Sequence, residues 1–178
     1  EGADEAGRLV AETVIAALSN VRPVEPDLLA LSDEAVCDMA PLPTRAQLEE
    51  LAKDEDDLKR ECANYCLRII DHGYDLPTAI PLTVHGVRLA KGVRMAGIEG
   101  EAVAELGHVI NDFYGSGLTF PLGYTDGCQL YLPTERVLRE GGYEAESAHE
   151  YAWPANLSHG VEGPLSDAMA RLREAGID

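Results

Sequence analysis

The chain has 178 residues, 46% of them hydrophobic, and a formal net charge of −18. That is long and apolar enough for one domain with its own core, and too apolar for a disordered segment. A surface this negative repels phosphate backbones and anionic membranes, so nucleic-acid binding is excluded as a function class. No apolar run approaches a membrane span, and no leader peptide is visible.

The stretch "DEAGRLVAETVIAALSNV" places Leu9, Val10, Thr13, Val14, Ala17 and Leu18 at helical spacing, predicting an amphipathic helix over about 4–20. "RPVEP" ends it, and "LLALSDEAVCDMAPLP" reads as extended chain closing on two prolines. Thr44 is the expected N-cap of the next helix, with Gln47 completing a capping box. Helical character runs through 44–54 and 56–72, broken near the acidic run "KDEDD", which reads as solvated surface. Within the second of these helices, Cys62 and Cys66 stand four apart on one face. They lack the further Cys or His pair that a zinc site needs, so they are expected to be reduced, buried and metal-free. Cysteine use does not reveal the compartment.

"TAIPLTVHGVRLAKGVRMAGI" is rich in β-branched residues and predicts strands at about 78–90 and 93–98, turning at Lys91–Gly92. A helix over 102–114 follows, with Val103, Leu106, Ile110 and Phe113 on one face, expected to pack on that sheet. Short strands at "LTFPLGY" and around Tyr131, a helix from Thr134 and a last helix over about 163–175 complete the chain. Helices alternate with strands and no repeat or long linker interrupts them. The fold class is α/β, a layered domain with a mixed sheet flanked by helices.

Candidate chemistry gathers in the second half. Glu101 sits where the predicted strand ends and the predicted helix opens. A carboxylate there is a charged oxygen donor suited to a metal, or simply a helix-opening glutamate. Tyr131 and Tyr143 stand twelve apart. A phenol can donate a hydrogen bond to a developing oxyanion, bind a metal through oxygen, or pack with its hydroxyl at the surface. Gly141–Gly142 permits a tight turn just before Tyr143. The histidines form no paired ligand spacing. His72 falls at a helix end, His85 in a strand at the surface or an edge, and His108 two turns beyond Glu101. His149 and His159 follow Tyr143 as candidate pocket-lining residues.

The segments "GIEGEAVAELG" and "GYTDGCQLYLPTERVLREGGYE" together resemble the neutral and alkaline, non-lysosomal ceramidases. These are zinc-dependent amidases that cleave ceramide. The first helix and the prolines around 41–44 also fit, so the resemblance spans most of the chain. It implies that Glu101, in Gly100-Glu101, and Tyr131 are zinc ligands. It further implies that Tyr143, in Tyr143-Glu144, assists attack on the amide of ceramide or a related N-acyl lipid. The family's two zinc-binding histidines and catalytic arginine have no counterpart here. The chain is therefore expected to be the C-terminal part of a ceramidase-like catalytic domain, lacking the N-terminal half and a following immunoglobulin-like domain. Two histidine ligands would come from that half or from another chain, and an apolar face is expected where it docks. The start, without Met and helical almost at once, is read as a cut boundary, a processed end or a separate subunit. A secreted or extracytoplasmic setting follows from the resemblance only. Two departures stand out: Glu99 replaces the family's Pro before Gly-Glu, and "YTDGCQL" replaces its usual run before the ligand tyrosine. The alternative is a non-catalytic relative acting as a binding or interaction subunit.

Overall fold

A computed structural model describes residues 2–178. Its centre is a four-stranded mixed sheet in the order β1-β2-β3-β5, built from β1 (Pro26–Asp38), β2 (Ala79–Ala90), β3 (Val93–Ile98) and β5 (Leu118–Leu122). β1, β2 and β3 pair antiparallel. Lys91–Gly92 joins β2 to β3, and Gly92 takes φ +70°, the left-handed conformation that a tight hairpin requires. β5 pairs parallel to β3, from Val93–Leu118 to Gly97–Leu122. That direction needs a crossover, which α4 (Ala104–Tyr114) supplies.

Alternation sends one side of each strand inward. Ala35, Cys37, Ile80, Leu82, Val84, Ala96 and Ile98 meet Leu106 and Ile110 of α4, and Leu165, Met169 and Leu172 of α7 (Glu162–Glu174). All are buried, so the fold is an α/β layered domain whose main core lies between the sheet and these two helices. The other side of the sheet is more open, with Val36, Leu118, Phe120 and Leu122 exposed.

A smaller core forms where α2 (Arg45–Leu51) meets α3 (Asp57–Asp71), through Leu48, Cys62, Ala63 and Cys66. Thr44 and Gln47 make the reciprocal capping box, and Asp56 caps α3 at the break in "KDEDD". Cys62 and Cys66 are buried free thiols on the inner side of α3, and the Cys62 thiol reaches the Trp153 carbonyl at 3.3 Å. The thiol of Cys37, on β1, is pushed up to about 12 by burial, then by Asp38.

Two expectations change. The first helix, α1 (Gly2–Ala17), ends earlier than expected and tightens into a 3-10 turn at Leu18–Asn20. None of its residues is buried, and Leu9, Val10, Val14, Ile15 and Leu18 are all exposed. Glu101, moreover, does not open a helix. β3 stops at Ile98, Glu101 belongs to the two-residue strand β4 (Glu101–Ala102), and α4 starts at Ala104 with Val103 as N-cap. The physical cause is a corner at Gly100, whose φ of +111° breaks the strand before it restarts. The acidic residue in the first turn of α4 is Glu105.

Candidate functional site

The corner at Gly100 directs β4 away from the main sheet and onto a second, two-stranded sheet with β6 (Tyr131–Leu132). The pairing is parallel and sets Glu101 opposite Tyr131, and Ala102 opposite Leu132. Paired residues in a parallel ladder project to the same side. Main-chain bonds hold the register: Glu101 N–H donates to Leu130 at 3.0 Å and Val103 N–H to Leu132 at 3.3 Å.

Gly100 cannot be enlarged. A Cβ there would lie 2.9 Å from Cγ of Leu132, which is fully buried, and at a φ that L-residues rarely adopt. Gly100→Ala is expected to cost roughly 1–3 kcal/mol in backbone strain, more with the clash, read as a lower midpoint in urea. An unchanged midpoint would show that Leu132 gives way freely.

Tyr143 arrives from the other direction. Thr134 caps α5 (Glu135–Glu140), accepting from Val137 N–H. Gly141 and Gly142 then take φ +72° and +106°, reversing the chain into the short helix α6 (Tyr143–Glu146). The reversal brings the Tyr143 ring edge-on to Tyr131, with centroids 5.3 Å apart. Tyr151, in the 3-10 turn Ser147–Tyr151, meets Tyr131 from another side at 6.4 Å. The structure thus brings Glu101, Tyr131 and Tyr143 together.

Three residues beyond those singled out from sequence join them. Tyr124 sits at φ +56° on the loop after β5, its N–H bonded to the Gly100 carbonyl at 2.8 Å. Tyr151 is the second, and the third is Glu150, whose carboxylate accepts a hydrogen bond from the Tyr143 hydroxyl at 2.9 Å. The left-handed backbone at Tyr124 is a tertiary feature; its sequence neighbourhood, "GYTDG", marks nothing more than a turn.

The electrostatics are one-signed. Hydrogen bonding to the Glu101 carboxylate is the main cause that pushes Tyr124 up to about 12 and Tyr131 higher still. Tyr143 is raised first by its bond to Glu150, and Tyr151 first by burial. Raised values keep all four phenols neutral at ordinary pH, Tyr124, Tyr131 and Tyr143 mainly because a neighbouring carboxylate opposes a second negative charge. The site is open: Tyr143 is 55% exposed, and the cavity beneath Tyr131 holds only about 10 Å³.

The histidines lie apart in their bonding. His72 caps α3 with Nδ1 on the Arg68 carbonyl, and His85 bonds Asp126 at 2.5 Å from the half-buried outer side of β2, an interior strand rather than an edge. His108 is exposed on α4, and His159 is exposed near Glu135. His149 lines a cleft of about 190 Å³ with Leu48, Cys62 and Trp153. Among the described residues no three His, Cys, Asp or Glu side chains are grouped to hold a metal ion. The β4–β6 ladder does set one carboxylate, Glu101, opposite one phenol, Tyr131, two residue types that can ligate a metal through oxygen.

Fold and site together define an α/β layered domain that carries a carboxylate surrounded by tyrosines at its surface. Comparison of the chain with protein-family models, with curated proteins and with solved structures gives no match.

Proposed function

We propose that this chain supplies part of the site of a zinc-dependent amide hydrolase of the neutral ceramidase type, acting on ceramide or a related N-acyl lipid. The observation that carries the reading is the register of β4 on β6: it sets Glu101 against Tyr131, with the Tyr143 ring 5.3 Å from that of Tyr131. These residues are thirty and then twelve positions apart, so no local rule assembles them.

In this reading Glu101 and Tyr131 hold zinc, with two histidines supplied by an N-terminal half or another chain. Zinc, when bound, supplies Lewis acidity that activates water at neutral pH. Tyr131 must lose its proton to bind, and the cation offsets the charge that Glu101 otherwise opposes. Tyr143 keeps its proton and donates a hydrogen bond to the amide oxygen as negative charge builds there. For that, its O–H must turn from Glu150 toward the substrate.

The test is a zinc titration, followed by tyrosine difference absorption, of the chain joined to a polypeptide bearing the two histidines, alongside hydrolysis of a fluorescent N-acyl sphingosine by the same joined protein. Zinc is expected to shift the tyrosine spectrum, and Glu101→Gln to abolish the shift. An equal shift in the variant, or no hydrolysis by the joined protein, overturns the proposal. Lipid binding without hydrolysis would favour the non-catalytic relative.

A further inference from the structure

Glu99 is the one acidic side chain that is buried among the described residues, with 9% of its surface exposed. It is fully bonded. Oε2 accepts from the N–H and the hydroxyl of Thr83 on β2, both at 3.1 Å, and Oε1 accepts from Nε2 of Gln129 at 2.8 Å. Its own N–H donates to the Thr83 carbonyl at 2.9 Å.

Each partner leads to a different part of the site. Glu99 stands two residues before Glu101, and Gln129 two residues before Tyr131. The Gln129 carbonyl accepts the indole N–H of Trp153 at 2.8 Å. Trp153 in turn bonds its N–H to Ala148 at 3.1 Å, within the 3-10 turn that carries Glu150, the partner of Tyr143. One polar chain, Thr83–Glu99–Gln129–Trp153, therefore ties together the segments bearing all three site residues. A buried carboxylate is costly unless its oxygens are hydrogen-bonded, as they are here. What the carboxylate adds is direction: three donors fix where the corner and the 128–131 run lie relative to each other.

We infer that Glu99 is a positioning residue whose bonds to Thr83 and Gln129 set the spacing of Glu101, Tyr131 and Tyr143. The inference rests on the reading of those three as the site. Glu99 itself touches no substrate.

The test uses the full chain without metal, observed by NMR, in the variants Gln129→Leu, Glu99→Leu and Glu99→Gln. Cross-peaks between the Tyr131 and Tyr143 rings report the site, exchange of the Glu101 and Val103 amides reports the β4–β6 register, and exchange of the β2 amides reports the sheet. In Gln129→Leu, and in Glu99→Leu if it folds, the cross-peaks should weaken. The Glu101 and Val103 amides should exchange about tenfold faster or more, while β2 stays protected. Glu99→Gln should restore both signals, since its amide oxygen can accept from Thr83 and its NH₂ can donate to a flipped Gln129. Unchanged cross-peaks and site amides in Gln129→Leu would overturn the inference. So would β2 amides that accelerate in step with those of the site, because that is general structural support. Because no zinc is present, failure here and failure of the hydrolase reading are separately visible.

Discussion

Replacing Glu101 with Gln is expected to change the protein in two measurable ways. The first needs no metal. The Tyr124 phenol, held at about 12 mainly by the Glu101 carboxylate, should fall toward the ordinary tyrosine value of about 10. Tyr131, raised further by the same group, should fall more. The sign follows from charge: a carboxylate opposes a second negative charge beside it, so its removal makes both phenols easier to ionise. In an alkaline titration of tyrosine absorbance, part of the late component should therefore move to lower pH in the variant. Folding is linked to the same protons. In the native protein the folded phenols hold protons that the unfolded chain releases, so this contribution to stability is complete below about pH 10 and declines above it. The variant should show a weaker decline. Identical titrations would mean that the carboxylate does not govern these phenols. The second change concerns the joined protein under the proposed hydrolase reading: loss of the Glu101 carboxylate as a zinc ligand should reduce hydrolysis to the zinc-free background.

Tyr143→Phe should act differently. It leaves Glu101 and Tyr131 in place and keeps the ring edge-on to Tyr131, removing only a hydroxyl. In the joined protein kcat should fall by about 10²–10³-fold, the usual loss for one oxyanion donor, with KM nearly constant. The asymmetry arises because the amide oxygen gains its negative charge in the transition state, not in the bound substrate. A rise in KM with kcat unchanged would make Tyr143 a substrate-binding wall and remove its catalytic role. Glu150, which accepts a hydrogen bond from the Tyr143 hydroxyl at 2.9 Å, provides an internal check. Glu150→Gln should perturb Tyr143 ionisation downward, since that carboxylate is the main cause of its raised value.

Much of this fold is written locally. β-Branched residues in alternation around Lys91–Gly92 specify the β2–β3 hairpin, and Thr44 with Gln47 specifies where α2 starts. Cys62 and Cys66 lie four apart on a helix, and that spacing alone puts both on one face, the face that packing then buries. These features depend on residues within a turn or a hairpin of each other, which is why periodicity and capping chemistry reveal them. The candidate residues Glu101, Tyr131 and Tyr143 were also legible, though as members of a resembling pattern and not as neighbours. Their meeting was decided by tertiary structure. β4 and β6 have two residues each, too few to show any period, and they pair across thirty positions only because Gly100 turns the chain out of β3. The parallel seat of β5 on β3 is likewise a non-local choice, made possible by the α4 crossover. Tyr124, Glu150 and Tyr151 joined the site through such long-range placement, and Glu99 became a buried, triply bonded carboxylate although nothing around it in sequence separates it from a surface glutamate. In the first helix the apolar spacing determined the helix itself, but burial depends on a partner surface, and none of its residues is buried in this fold.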